Sequence, residues 1–218
     1  MKKEILKLNN VGYQYKDTSE PVLNEINYSF DMGKCYVIKG PSGSGKTTLL
    51  SLISGLEPKY SGSITYNNKE LKDINLDKYR NAYIGIVFQS YNLLPHLTAA
   101  ENIILSMDIN GQKLKDKKDK AIELMKSVGL KEEYADRRVL KLSGGEQQRV
   151  AIARSLSYDP DIIIADEPTG NLDKDTEEEI MSIFTDLTKN KNKCVIIVSH
   201  SDQVCDFADE VYKLKSKK

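Results

Sequence analysis

Eight residues, Gly40-Pro41-Ser42-Gly43-Ser44-Gly45-Lys46-Thr47, follow the spacing GxxxxGK(S/T) of a phosphate-binding loop. Glycines let the backbone curl so that successive N–H groups point inward at phosphate oxygens. The helix expected from Lys46 adds the positive end of its dipole. Lys46 supplies a point charge for the β- and γ-phosphates of a nucleotide, Thr47 offers a hydroxyl to Mg2+, and Thr48 extends the same set of nucleotide contacts. Much further along, Asp161-Ile162-Ile163-Ile164-Ala165-Asp166-Glu167 reads as a buried strand ending in two acids. Beside a phosphate loop, Asp166 is placed to hold Mg2+ through water, and Glu167 to polarise an attacking water as general base.

Such groups need strands that end side by side and helices that begin there. Apolar runs alternate with helical patterns, which predicts an α/β fold. Strands are expected over residues 5–8, 22–30, 35–38, 61–66, 83–88, 161–165 and 195–199. Helices are expected over 46–53, through 98–128, from a Ser143 cap to Ser157, and over 174–188. In the 98–128 region Ala121, Ile122, Leu124, Met125 and Val128 make an apolar stripe. The charged run 113–120 reads as a solvated helix start, and 215–218 as a frayed tail. The stretch 90–157 therefore looks like a helical insertion between α/β segments.

The 218 residues carry 32 basic and 32 acidic side chains, a net charge of zero. That balance argues against a general nucleic-acid binder. No apolar run is long enough to span a membrane, and the start, Met1-Lys2-Lys3-Glu4-Ile5, has no apolar stretch of signal-peptide length. Cys35, Cys194 and Cys205 lack metal-ligand spacing and are expected as reduced, mostly buried thiols of a cytosolic protein. The only histidines are His96 and His200, too few for a histidine-based metal site.

Leu142-Ser143-Gly144-Gly145-Glu146-Gln147-Gln148-Arg149 offers a hydroxyl and backbone N–H groups at a helix start, a second anion site. Since the first loop already surrounds one face of a triphosphate, this second site implies a second molecule. The octapeptide resembles the signature motif of ATP-binding cassette (ABC) ATPases. In that family the signature of one subunit closes over the γ-phosphate held by the other. Further motifs follow in family order over nearly the whole chain. Tyr15, with Tyr13 as competitor, matches the aromatic that stacks on adenine. Gln89 resembles the Q-loop glutamine that reaches Mg2+ and the lytic water. Asn171-Leu172-Asp173 corresponds to the D-loop, with Asp173 communicating across the dimer, and His200 matches the switch histidine that holds the γ-phosphate. His96 has no such company.

The resemblance implies one ABC ATPase domain over residues 1–218, an α/β P-loop NTPase core (1–89 and 158–218) with an antiparallel β subdomain and an inserted α-helical subdomain (90–157). It also implies that Ser90-Tyr91-Asn92-Leu93-Leu94-Pro95 helps form a docking groove for a membrane partner. Asp166-Glu167-Pro168-Thr169-Gly170-Asn171-Leu172-Asp173, Asn92-Leu93-Leu94-Pro95 and Thr98-Ala99-Ala100-Glu101-Asn102 resemble the subgroup of lipoprotein-release, macrolide-export, bacteriocin-export and cell-division ATPases. The likeness departs from that pattern at the end: 18 residues follow His200, and the terminal glycine turn and strand expected after Leu214 are absent. An added regulatory domain is then not expected, which counts against sugar importers. The expected function is the ATP-binding and ATP-hydrolysing subunit of a membrane transporter. Two copies dimerise around two Mg-ATP, at the cytoplasmic face of the membrane, and drive a separate transmembrane permease, with no nucleic acid involved. Export or extrusion of a peptide, lipoprotein or drug-like substrate is the expected direction. The alternatives are a cell-division ATPase regulating cell-wall hydrolysis, or a soluble cassette ATPase without a transport role.

Overall fold

The computed structural model describes residues 3–16 and 18–215. The chain opens with β1 (Glu4–Tyr13), β2 (Leu23–Asp31) and β3 (Cys35–Lys39), then α1 (Lys46–Ile53), β4 (Ser61–Tyr66) and β5 (Lys69–Glu70). After α2 (Leu76–Ala82) and β6 (Ile84–Val87) come α3 (Ala99–Ile109), α4 (Lys117–Ser127) and α5 (Gly144–Ser155). It closes with β7 (Ile162–Asp166), α6 (Lys174–Lys189), β8 (Cys194–Ser199), α7 (Asp202–Cys205) and β9 (Glu210–Lys213).

Among the described residues two sheets form. One is antiparallel, in the order β2-β1-β4-β5; the other is parallel, in the order β6-β7-β8-β3-β9. The apolar runs of β3, β7 and β8 are buried on both faces, the pattern of central parallel strands. Their side chains alternate between two cores. Val37, Ile163, Ala165, Val195 and Ile197 pack with α6 and with Ile103, Met107, Ala121 and Met125 of the helical region. Ile38, Ile162, Ile164, Ile196 and Val198 pack with α1 and with the antiparallel sheet. Each buried Val, Ile or Met side chain among them contributes about 1.5–3 kcal/mol, so both layers are fastened to the same three strands. A stack of Tyr28 on Tyr212, with ring centres 4.0 Å apart, adds an aromatic link between the sheets.

Several expectations need correction. The helical pattern over 98–128 is two helices, because Gly111 adopts a left-handed φ of 76° and closes α3. In the stripe, Ala121, Met125 and Val128 are buried, while Ile122 and Leu124 are only partly so. β1 runs on to Tyr13 instead of stopping at Leu8. β5, α2, α7 and β9 lie where no element was expected. The expected frayed tail lies outside the described residues except for Lys215. No helix among the described residues is long and apolar enough to cross a membrane.

Candidate nucleotide site

Parallel strands end at one edge of a sheet, and here β3, β7 and β8 bring their carboxyl ends together. The glycine-rich loop joins β3 to α1. Gly45 has φ 91°, and a Cβ there would come within 2.9 Å of the Val22 and Leu23 side chains, so only glycine fits. Gly43, at φ 78°, has nothing within 4 Å of its would-be Cβ, so this side of the loop is open. Ser44 is buried and its hydroxyl lacks a partner, while Pro41 and Ser42 are exposed. That hydroxyl sits 2.5 Å from where a Cβ on Gly40 would lie, which keeps position 40 free of a side chain. No side chain caps α1, and its first turn carries no acid. Its leading N–H groups are therefore available to an anion. Lys46 Nζ folds back over the loop and donates to the carbonyls of Gly40 (2.7 Å) and Pro41 (3.1 Å).

A cavity of about 360 Å3 opens beside this loop, lined by Tyr15, Val22, Lys46, Thr47 and Thr48 among others. The Tyr15 and Thr48 hydroxyls are hydrogen-bonded at 3.0 Å, and the Tyr15 ring is half-exposed. Tyr13 meets Tyr15 edge-on but donates to Glu57 (3.2 Å) and lines a different cavity, of about 660 Å3. Of the two tyrosines, Tyr15 is the one that reaches the phosphate loop.

At the end of β7, Thr47 Oγ1 donates to Asp166 Oδ2 at 3.4 Å. Burial, and then the neighbouring Glu167 charge, push the Asp166 carboxyl above its ordinary range, while Thr47 and Lys46 pull it back in part. A carboxylate held at such a cost, beside a hydroxyl, is a pair of hard oxygen donors that suits Mg2+. Among the described residues no three His, Cys, Asp or Glu side chains gather for a metal. Mg2+ does not need them, since it keeps waters and takes one or two carboxylates together with substrate phosphates.

Glu167 has a left-handed φ of 46°, fixed by its N–H donating to Val198 O (2.9 Å) and its carbonyl accepting from Gly170 N–H (3.2 Å). This turn aims the carboxylate across to the end of β8. There Ser199 Oγ donates to Oε2 at 3.3 Å, and His200 Nδ1 lies 3.0 Å from both carboxylate oxygens. A carboxylate only accepts, so Nδ1 carries the proton and Nε2 is left for another group. The Glu167 side chain is 13% exposed and the His200 ring 71%, so the ring is the outer member of the pair. Sequence reasoning missed Ser199; its position at the last residue of β8, directly before His200, was the available signal.

Gln89, just past β6, is exposed, and its Nε2 would sit 3.4 Å from a Cβ on Gly170 in the turn after Glu167. Asp173 caps α6, accepting from Thr176 N–H (3.0 Å) and Thr176 Oγ1 (2.8 Å). Ser143 caps α5 in a reciprocal box: its Oγ accepts from Glu146 N–H at 3.3 Å, and Glu146 Oε2 accepts from Ser143 N–H at 2.7 Å. The atoms nearest Gly144 and Gly145 belong to Tyr91, Leu172 and Thr176. The signature segment thus adjoins Asp173's turn, and its neighbours are not residues of the phosphate loop. His96 is exposed and stands apart from this group.

The family model described as ABC transporter matches residues 23–170. An uncharacterised ABC transporter ATP-binding protein of Bacillus subtilis, YclH, is 48% identical over 94% of this chain and 91% of its own length. The lipoprotein-releasing system ATP-binding protein LolD of Cytophaga hutchinsonii is 40% identical over 94% of each chain. A dimeric structure of the ABC transporter cassette MJ0796, a protein of Methanocaldococcus jannaschii, superposes with a TM-score of 0.87 at 39% identity, covering 97% of this chain and 94% of that one. A post-hydrolysis structure of MJ0796, bound to ADP and Pi, gives 0.87 at 37% identity over 98% and 97%. With the loop, the acid pair and the signature helix in place on this fold, the chain belongs to the ABC transporter family, as an ABC-type ATPase cassette.

Proposed function

We propose that this chain is the nucleotide-hydrolysing subunit of a membrane transporter, and that two copies clasp two Mg-ATP between them. The observation that carries the reading is the cluster of Glu167, Ser199 and His200 at the strand ends beside Lys46 and Thr47. Lys46, the loop N–H groups and the start of α1 bind the phosphates, and Tyr15 stacks on the adenine. Thr47 and Asp166 would hold Mg2+, with Gln89 as a further residue assigned to it. Mg2+ bound there would supply positive charge against the phosphates. Glu167 takes the proton of the attacking water; His200 holds Glu167 through Nδ1–H, and its Nε2 can donate to the γ-phosphate only when both ring nitrogens carry a proton. Ser143, Gly144, Gly145 and Asp173 of a second copy close the site. Loss of the γ-phosphate removes the contact between the copies and lets them part.

Residues 90–157 act as a helical unit against the remaining core and transmit this opening to a transmembrane permease at the membrane surface. A cavity of about 290 Å3, lined by Phe88, Asn92, Arg154 and Tyr158 among others, supports docking near 90–95. The likeness to LolD proteins favours extrusion of a lipoprotein, peptide or drug-like molecule. Glu167→Gln is expected to bind ATP and dimerise but to lose about 10²–10⁴-fold in turnover. Steady-state hydrolysis, with gel filtration in ATP, checks this, and normal turnover would refute the base assignment.

A further inference from the structure

Two consecutive residues just past Gln89, Tyr91 (φ 59°) and Asn92 (φ 50°), are both left-handed and neither is glycine. Asparagine tolerates this region, but a tyrosine there is uncommon and persists where its surroundings hold it. The holder is on α5. Arg154, in its last turn, donates from Nη2 to Tyr91 O (2.8 Å) and from Nη1 to Asn92 O. One planar guanidinium thus grips two successive carbonyls, a fork that a lysine point charge cannot reproduce. Arg154 is half-buried, and burial lowers its pKa. At the other end of α5 the Tyr91 hydroxyl lies 3.2 Å from the place a Cβ on Gly144 would occupy. The segment is therefore held to α5 by its backbone, and its ring hydroxyl lies close to the helix's first residue.

We propose that Arg154 is a positioning residue: it holds Tyr91 and Asn92 in their left-handed conformation, and so sets Gln89 in register with the helix that carries Ser143–Gly145. With that fork in place, Gln89 cannot shift against Gly170 without pulling on α5, so the state of the nucleotide site and the aim of the signature are read through one side chain. This rests on the role given to Gln89 above.

The test is a double-mutant cycle on the full chain with Gln89→Ala, Arg154→Gln and both, reading turnover at saturating ATP and binding of a fluorescent ATP analogue. Arg154→Gln is expected to lower kcat about tenfold, and to leave nucleotide affinity within about twofold because none of these partners is in the phosphate loop. The double variant is expected to turn over no more slowly than Gln89→Ala alone, since Arg154 acts through Gln89. Adding Asn92→Gly to Arg154→Gln is expected to restore much of the loss, because glycine takes a positive φ without a clamp. Losses that multiply, no rescue by Asn92→Gly, or loss of nucleotide binding in step with turnover would overturn the proposal. If Gln89→Ala is impaired and Arg154→Gln is normal, only the Arg154 role fails; if Gln89→Ala itself is normal, the Gln89 reading fails first. Where Arg154→Gln does not fold, Arg154→Lys takes its place with the same readouts and an expected loss of a few-fold, since it reaches one carbonyl.

Discussion

α1 and α5 both begin beside glycines, yet they treat their leading N–H groups in opposite ways. α1 follows Gly45 with no side-chain cap and no acid in its first turn. α5 follows Ser143, and Glu146 closes a complete capping box over its start. The first end leaves donors for an anion from solution, with Lys46 folded over the loop beside it. The second already carries a carboxylate of its own. The carboxyl groups nearby follow the same division. Asp173 and Glu101 sit at capped helix starts, where hydrogen bonds from Thr176 and from Thr98 hold them below their ordinary range. Asp166, at the strand end beside Thr47, is instead pushed up by burial and by Glu167. The helix-start carboxylates Asp173 and Glu101 are stabilised by their own caps, whereas Asp166, at a strand end beside the phosphate loop, is only partly compensated, by Thr47 and Lys46. On the proposed function, the open end of α1 would bind nucleotide first and the capped end of α5 would then engage a phosphate held by another copy.

The largest effect is expected at the open end. Lys46→Ala should weaken ATP binding to a single chain by about a hundredfold, through loss of a charge-assisted phosphate contact of roughly 3 kcal/mol. Titration with a fluorescent nucleotide measures it, and unchanged affinity would erase the contrast between the two ends. At the capped end, Glu146→Gln keeps the reciprocal box but removes a negative charge from beside the approaching γ-phosphate. ATP-driven dimerisation should tighten by a few-fold, with single-chain affinity unchanged. Sedimentation in ATP, repeated at high salt to screen the effect, decides this; weaker dimerisation would mean that the carboxylate is itself a contact.

The smallest effect concerns Asp166. Its raised pKa means that, between the ordinary carboxylate value and the folded one, the folded chain binds more protons than the unfolded. Stability therefore falls as pH rises through that window. Asp166→Asn removes the penalty, so melting without nucleotide at pH 7 should rise by about 1–3 °C, a gain that fades below about pH 4. Asp173 runs the other way: its stabilisation is present above the ordinary value and is lost as pH falls through the lowered one. A melting temperature that drops in Asp166→Asn would show that the carboxylate supports the fold after all.

What could be read in the residue string divides along physical lines. The continuous apolar runs of β3, β7 and β8 and the loop between Gly40 and Thr47 announce themselves, since burial on two faces and phosphate geometry each demand a narrow set of residue types. The helix caps at Thr98, Ser143 and Asp173 are equally local. The short elements are not. β5 follows the Asn67–Asn68 turn, where both residues are left-handed (φ 49° and 63°), a hairpin signal that two-residue strands make easy to pass over. β9 is a mostly exposed edge strand whose place is set by pairing with β3, which no nearby residue specifies. In the site, the strand-end and loop residues were legible one at a time. The side-chain direction that separates Tyr15 from Tyr13, and the contact of Ser199 with Glu167, depend on how distant segments meet.

The register of the parallel sheet has a consequence for the life of the chain. Cys35 pairs with Val195 and Ile162 with Cys194, so the strand ends that lead to Lys46, Asp166 and His200 meet only when segments far apart in sequence have closed on one another. Thr47 and Asp166 alone are separated by 119 positions. No fragment owns a nucleotide site, and a ligand that binds only the closed chain acts as a clasp across it. At a thousandfold excess over its Kd such a ligand adds about 4 kcal/mol to global stability. ATP is then more than fuel for this chain: its supply sets how often the sheet opens, and with that how readily a protease finds an unfolded copy.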